Sequence, residues 1–167
     1  MSGCGDGNGA GPVIEGGTDT VALEHLLTID DLRFETTDDP PESACDILLQ
    51  GLRALNEPIL GPSDSRPLGV FARAGGRLEG GLAGTSGRGL LHIDLLWVRP
   101  ERRGDGIGSK LLGFAEAEAR ARGCTGVWLN TFDFQARAFY ERHGYSAFGE
   151  LGGFANGHSR IFMNKVL

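Results

Sequence analysis

The residue types and spacing best suited to chemistry lie in the run Arg103-Gly104-Asp105-Gly106-Ile107-Gly108. Glycines let a backbone approach a ligand closely, and the first N–H groups of a helix carry the positive end of its dipole. Arg102 and Arg103 add guanidinium groups of the kind that pair with phosphate oxygens. The chemistry on offer is therefore the binding of a phosphate-bearing ligand. Spacing sets aside two common phosphate devices. A dinucleotide fingerprint opening at Gly104 requires glycine where the chain has Ser109, and a P-loop requires Gly-Lys-Ser/Thr where it reads Gly108-Ser109-Lys110. A ligand-free glycine connection is the plain alternative, so the flanking context decides.

Such a turn needs a strand to enter it and a helix to leave it. Residues 90–98, rich in aliphatic and aromatic types between Gly89 and Pro100, read as a buried strand. Leu111, Leu112, Ala115 and Ala119 recur at helical spacing until Arg122-Gly123, which predicts a helix over 107–122. Elsewhere the pattern predicts a strand at 32–36, stopped by Asp38-Asp39-Pro40-Pro41. A helix follows Ser43, with Ile47, Leu48, Leu52 and Leu55 on one face and Pro58 and Gly61-Pro62 closing it. Strands at 68–73 and 77–85 join at Gly75-Gly76; a strand at 126–131, a helix at 134–142 and strands at 146–151 and 159–166 complete the order. This alternation predicts a mixed α/β (α+β) layered fold.

Two segments carry a family resemblance. Arg103-x-x-Gly106-x-Gly108 resembles the acyl-CoA-binding motif of the GNAT superfamily of N-acetyltransferases. Phe139-Tyr140-x-x-x-Gly144-Tyr145, at the end of the predicted helix, is similar to its second motif. The resemblance spans about residues 30–167 and includes the ending typical of a bacterial small-molecule subgroup. It implies a mostly antiparallel central sheet flanked by helices, with the central strands splayed apart. It also implies acetyl-CoA as co-substrate and transfer of its acetyl group to a primary amine of a small molecule, by direct attack in a ternary complex.

Residue roles follow from the same resemblance. Arg103, Gly104, Asp105, Gly106, Ile107, Gly108 and Ser109 would hold the pyrophosphate. Trp97 and Val98 would bond the pantetheine arm through their backbone, a nearby N–H polarising the thioester carbonyl, and Asn130 would hydrogen-bond the same arm or the opened backbone. Tyr140 would protonate the departing thiolate, since a phenol near pKa 10 stays protonated at neutral pH. Asp94 is the preferred base for the amine, because strand alternation over four residues puts it on the face of Val98; His92 on that same face is its rival, with Glu35 and Glu57 also open. Gln135 reads equally as a helix-start residue. The stretch Gly157-His158-Ser159-Arg160 reads either as one wall of the acceptor pocket or as a hairpin turn with a surface arginine. A non-catalytic acyl-CoA sensor and a protein N-acetyltransferase are the alternatives.

The bulk composition narrows these choices. At 167 residues the chain holds one domain with a real core. Its formal net charge of −6 argues against a nucleic-acid partner, which favours a basic face. No apolar run reaches membrane-spanning length and no basic-then-apolar leader opens the chain, so the expectation is no membrane and a cytoplasmic location. Cys4, Cys45 and Cys124 are odd in number and unpaired in spacing, and the four histidines lack ligand spacing. Neither a disulfide framework nor a metal is expected, and Cys124 reads as packed. Seven glycines among the first seventeen residues mark 1–28 as a disordered extension ahead of a domain at 29–167. A homodimer is left open.

Overall fold

The computed structural model describes residues 29–167; the expected glycine-rich extension at 1–28 lies outside the described residues. The chain divides into two units, Met1–Pro40 and Pro41–Leu167. In the first, Ile29–Asp31 makes one 3-10 turn, and the strand expected at 32–36 does not form. Leu32 and Phe34 alternate as a strand would, yet both side chains are exposed. Alternation supplies a face, but a strand exists only where a neighbour completes its ladder.

The second unit opens with α1, Glu42–Leu60. Pro58 does not close it. The helix runs past Pro58 to Leu60, and Gly61, extended at a positive φ of 75° that favours glycine, donates its N–H to the Glu57 carbonyl at 2.9 Å. The expected face of Ile47, Leu48, Leu52 and Leu55 forms but is exposed rather than packed.

Six strands follow: β1 Arg66–Ala74, β2 Arg77–Gly87, β3 Leu90–Val98, β4 Gly126–Phe132, β5 Ser146–Leu151 and β6 Arg160–Val166. They form one sheet in the order β1-β2-β3-β4-β6-β5, antiparallel except at β3–β4. The helix α2, Ile107–Ala121, covers one face. Its Leu111, Leu112, Ala115 and Ala119 pack with Leu82, Leu91, Ile93, Val127, Leu129, Ile161 and Met163 in the single core. Each large aliphatic side chain buried there contributes roughly 1.5–3 kcal/mol. Cys124 is buried with them, which pushes its thiol pKa up, as expected of a packed cysteine.

The short helix α3, Arg137–Arg142, begins three residues after the expected start at 134. Asp133 accepts the Phe134 N–H at 2.8 Å and Gln135 Oε1 accepts the Phe132 N–H at 3.0 Å. These side chains offer the backbone a turn in place of a helix.

Two departures from regular pairing create the site. The parallel β3–β4 ladder lasts only from Leu90↔Gly126 to Ile93↔Leu129, after which β3 stays with β2 and β4 stays with β6. The central strands therefore splay. The second departure is a bulge at Asp94: Gly84 opposes Ile93 and Ala83 opposes Leu95, leaving Asp94 without a partner. A Cβ at position 84 would overlap the His92 carbonyl, so the bulge requires glycine there. The bulge shifts the alternation. Ile93, Leu96 and Val98 all turn to the core, and Asp94 does not share a face with Val98 as strict alternation predicts.

Candidate active site

Between the splayed strands and the start of α2 lies a cavity of about 890 Å³. At one end the chain turns through Gly104 (φ 93°) into Gly106 (φ 79°), the residue before α2. A Cβ on either glycine would meet nothing within 4 Å, so the space before them is open. No side chain caps α2, which leaves its first N–H groups available to an anion. Gly106, Ile107, Gly108 and Ser109 line the cavity here, joined by Arg102, Arg103 and Arg142. Gly108 has a packing task as well, because a Cβ there would press on the Phe139 ring at 3.4 Å.

The expected donor residues fall together, with one exception. Trp97, Val98, Arg103, Gly104, Gly106, Ile107, Gly108, Ser109 and Asn130 all line the cavity. Asp105 does not: its carboxylate accepts from Arg102 Nε at 2.8 Å and raises that guanidinium's pKa, so it braces the turn from outside. Arg103 Nε donates to the Val98 carbonyl at 3.3 Å, tying the turn to the end of β3. Ser109 Oγ lies 2.9 Å from His143 Nε2, and His143 Nδ1 lies 2.7 Å from the Phe139 carbonyl. A carbonyl can only accept, so Nδ1 carries a proton, and the serine hydroxyl can donate to or accept from Nε2.

Tyr140, on α3, reaches the cavity from the core side. Its ring packs edge-on against Phe139 and Tyr145, at centroid separations of 5.2 and 5.7 Å. Burial raises its pKa above the ordinary phenol value. Asp94, on the bulge of β3, lines the cavity half-exposed. Its rival His92 turns out to be its partner, with Nδ1 3.0 Å from Asp94 Oδ1 and the ring stacked on Trp128 at 3.7 Å. His92 itself belongs to a separate, smaller hollow lined by Ser63–Ser65 residues and Trp128 rather than to the cavity.

Beyond Asn130 the wall is aromatic and cationic. Phe132, Phe134 and Gln135 line it from β4 and the turn after it, and Arg160 joins from β6. Of the late stretch, Arg160 lines the cavity, whereas His158 and Ser159 hold Asp133. Sequence reasoning assigned no role to Phe132, Phe134 or Arg142. Arg142 was findable, since it sits two residues after Tyr140 in the second motif; the phenylalanines carried no signal of their own.

This combination, a sheet opened at its centre with an uncapped glycine-turned helix start beside the opening, has the geometry to suit an extended phosphate-bearing ligand with its far end between two strands. Residues 27–145 match the acetyltransferase (GNAT) family, and the chain belongs to that family. It is an N-acetyltransferase that uses acetyl-CoA as co-substrate. It is 41% identical over 115 residues to acetyltransferase Atu2258 of Agrobacterium fabrum, covering 68% of this chain and 84% of that one. Over 122 residues it is 41% identical to the blasticidin-S acetyltransferase of Streptomyces morookaense, covering 70% and 88%. The crystal structure of an acetyltransferase from Bacillus cereus superposes with a TM-score of 0.72 at 31% identity, covering 80% of this chain and 98% of the other.

Proposed function

We propose that the protein transfers the acetyl group of acetyl-CoA directly to a primary amine of a small molecule, with donor and acceptor bound at once. One observation supports the reading above others. A single cavity joins the phosphate-binding start of α2 to the gap between β3 and β4, with Tyr140 and Asp94 both on its walls. In this reading the N–H groups at 106–109 and Arg103 take the pyrophosphate, while the freed edge of β3 at Trp97 and Val98 takes the pantetheine arm together with Asn130. A backbone N–H at this edge polarises the thioester carbonyl, an arrangement commonly worth about 3 kcal/mol.

Asp94 accepts a proton from the acceptor's ammonium group, and His92 orients the carboxylate. The neutral nitrogen bonds to the carbonyl carbon, the carbon–sulfur bond breaks, Tyr140 gives its hydroxyl proton to the sulfur, and the second proton that the nitrogen must lose restores the Tyr140 hydroxyl. A buried phenol suits this step, because a raised pKa keeps it protonated across neutral and mildly alkaline pH. Among the described residues no cysteine lines the cavity, so direct attack fits better than a covalent acetyl-enzyme. The relative named for acetylating blasticidin S is itself a small-molecule enzyme, which favours a small acceptor.

The test is release of free thiol from acetyl-CoA in the presence of primary amines and, separately, of lysine-bearing peptides. Release with small amines and intersecting double-reciprocal lines are expected. Acetyl-CoA binding without release for any acceptor points to a sensor, and release with peptides alone to a protein acetyltransferase; either result overturns the proposal.

A further inference from the structure

Arg160 is the cavity's unclaimed charge. It leads β6 directly opposite Phe132 of β4, on the face away from α2, since its neighbours Ile161 and Met163 are buried in the core. Its guanidinium lies 4.5 Å from the centroid of Phe132 and 5.6 Å from that of Phe154, while Phe132 and Phe154 meet edge-to-face at 5.2 Å. Its Nε is shut off from solvent and has no hydrogen-bond partner, and among the described residues no carboxylate pairs with it. Asp133, close by in sequence, is already engaged by the Phe134 and Ser159 N–H groups and by His158. Aromatic faces hold the cation in place but accept no hydrogen bonds in the guanidinium plane. Arg160 as a whole is part-buried, but its Nε is a sequestered donor without a partner, and an anion completing the guanidinium fork would satisfy it.

Arg102, Arg103 and Arg142 stand with the glycine turn and suit the donor's phosphates, whereas Arg160 stands on the wall beyond Asn130. From these placements we propose that Arg160 binds a carboxylate of the acceptor, so the acceptor is an amino acid or a small molecule bearing an amino-acid group. The proposal rests on the N-acetyltransferase reading of this same cavity. Asp94 on the β3 wall would take the ammonium group and Arg160 on the β4–β6 wall the carboxylate. Phe132 and Phe134, stacked at 5.3 Å, give the connecting carbons an apolar surface.

The experiment compares kcat/KM for the common L-amino acids with kcat/KM for their primary amides, followed by thiol release at pH 8. An amide's amine is the less basic and more of it is neutral, so intrinsic reactivity favours the amide. The expected result runs the other way: acids preferred by about tenfold to a hundredfold, the worth of a charge-assisted pair. Arg160→Lys narrows that ratio and Arg160→Met brings it to one or below, where intrinsic reactivity puts it. Any general damage to the fold or to donor binding affects acid and amide alike and cancels in the ratio. Equal use of acids and amides, or a ratio that survives Arg160→Met, overturns the proposal. So does acetylation of plain alkylamines with no turnover of any amino acid, which leaves the acetyltransferase reading standing. Failure to bind acetyl-CoA in calorimetry defeats both together.

Discussion

At one end of the cavity, Gly104, Gly106 and the uncapped start of α2 present backbone N–H groups from one continuous stretch of chain. At the other end, Asp94, Phe132 and Arg160 present side chains carried by three different strands. The two ends are rigid for different reasons. The donor end is fixed by its own dihedral angles and by α2 packed on the sheet, whereas the acceptor wall is fixed by strand register, a bulge and stacked rings. A backbone cradle recognises what every donor molecule shares, its phosphates, while a side-chain wall can be changed one residue at a time without disturbing the fold. Tyr140 also lines the cavity, and in the proposed function it works at the junction of the two ends.

The largest expected effect is therefore at that junction. Tyr140→Phe keeps the buried ring and removes the proton that the leaving sulfur requires. Its kcat should fall about 10²–10⁴-fold, the usual worth of a positioned general acid, with KM for acetyl-CoA changed little. A variant with unaltered kcat would remove Tyr140 from the chemistry and leave it a core aromatic.

Next in size is a break confined to the donor end. Gly106 holds φ 79°, and a β-branched side chain there is strained besides intruding on the open space where phosphate would lie. Gly106→Val should weaken acetyl-CoA binding by about tenfold to a hundredfold in calorimetry, given strain of about 1–3 kcal/mol. Acid-to-amide discrimination at the acceptor wall should survive in whatever activity is left. Coupled loss of both would mean the ends are one unit.

The same division explains what the sequence revealed. The donor end was legible because its parts are contiguous: Arg103, Gly106 and Gly108 carry their spacing on the surface of the sequence, and residues 107–122 advertise the helix that follows. Asp94 was found for a reason that does not hold, since period-two alternation does not register a bulge whose only trace is Gly84 on another strand. Arg160 was left between two readings because only the β4–β6 register places it against Phe132, and register is a product of the assembled sheet. The strand expected at 32–36 failed on the same ground: its residues alternate, but among the described residues no strand pairs with them.

A smaller effect should appear at Asp94. Asp94→Asn retains the shape but cannot accept a proton, so the amine must arrive neutral. At pH 7 the rate should fall at least about tenfold, and the deficit should close as pH rises toward the amine's own pKa near 10. A deficit constant across pH 7–10 would make Asp94 an anchor for the ammonium group. A loss of the deficit in the corresponding His92→Phe background would show that the two act as a pair.

The smallest effect marks where the site stops. Tyr145 lies five residues beyond Tyr140, buried edge-on against it, yet its hydroxyl donates to Glu116 Oε1 at 3.2 Å, and Lys165 pairs with the same carboxylate at 2.7 Å. It does not line the cavity. Burial first, and then Glu116, push its pKa far above the ordinary phenol value. Tyr145→Phe should leave kcat and acetyl-CoA affinity nearly unchanged and lower stability at pH 7 by about 1 kcal/mol, one buried hydrogen bond. The pH dependence has a definite sign. A folded-state pKa raised above the unfolded value of about 10 gives stability that is fully present below pH 10 and is lost as pH rises from there toward the folded value. Each pH unit above 10 therefore costs the parent protein about 1.4 kcal/mol at this one group, while the phenylalanine variant has nothing there to ionise. Urea denaturation at pH 8 and pH 11 should show the parent more stable at the lower pH and the gap closed or reversed at the higher. A gap that stays constant would mean the Tyr145 hydroxyl is not sequestered, and the polar cluster behind α2 would then be open to the same solvent as the cavity.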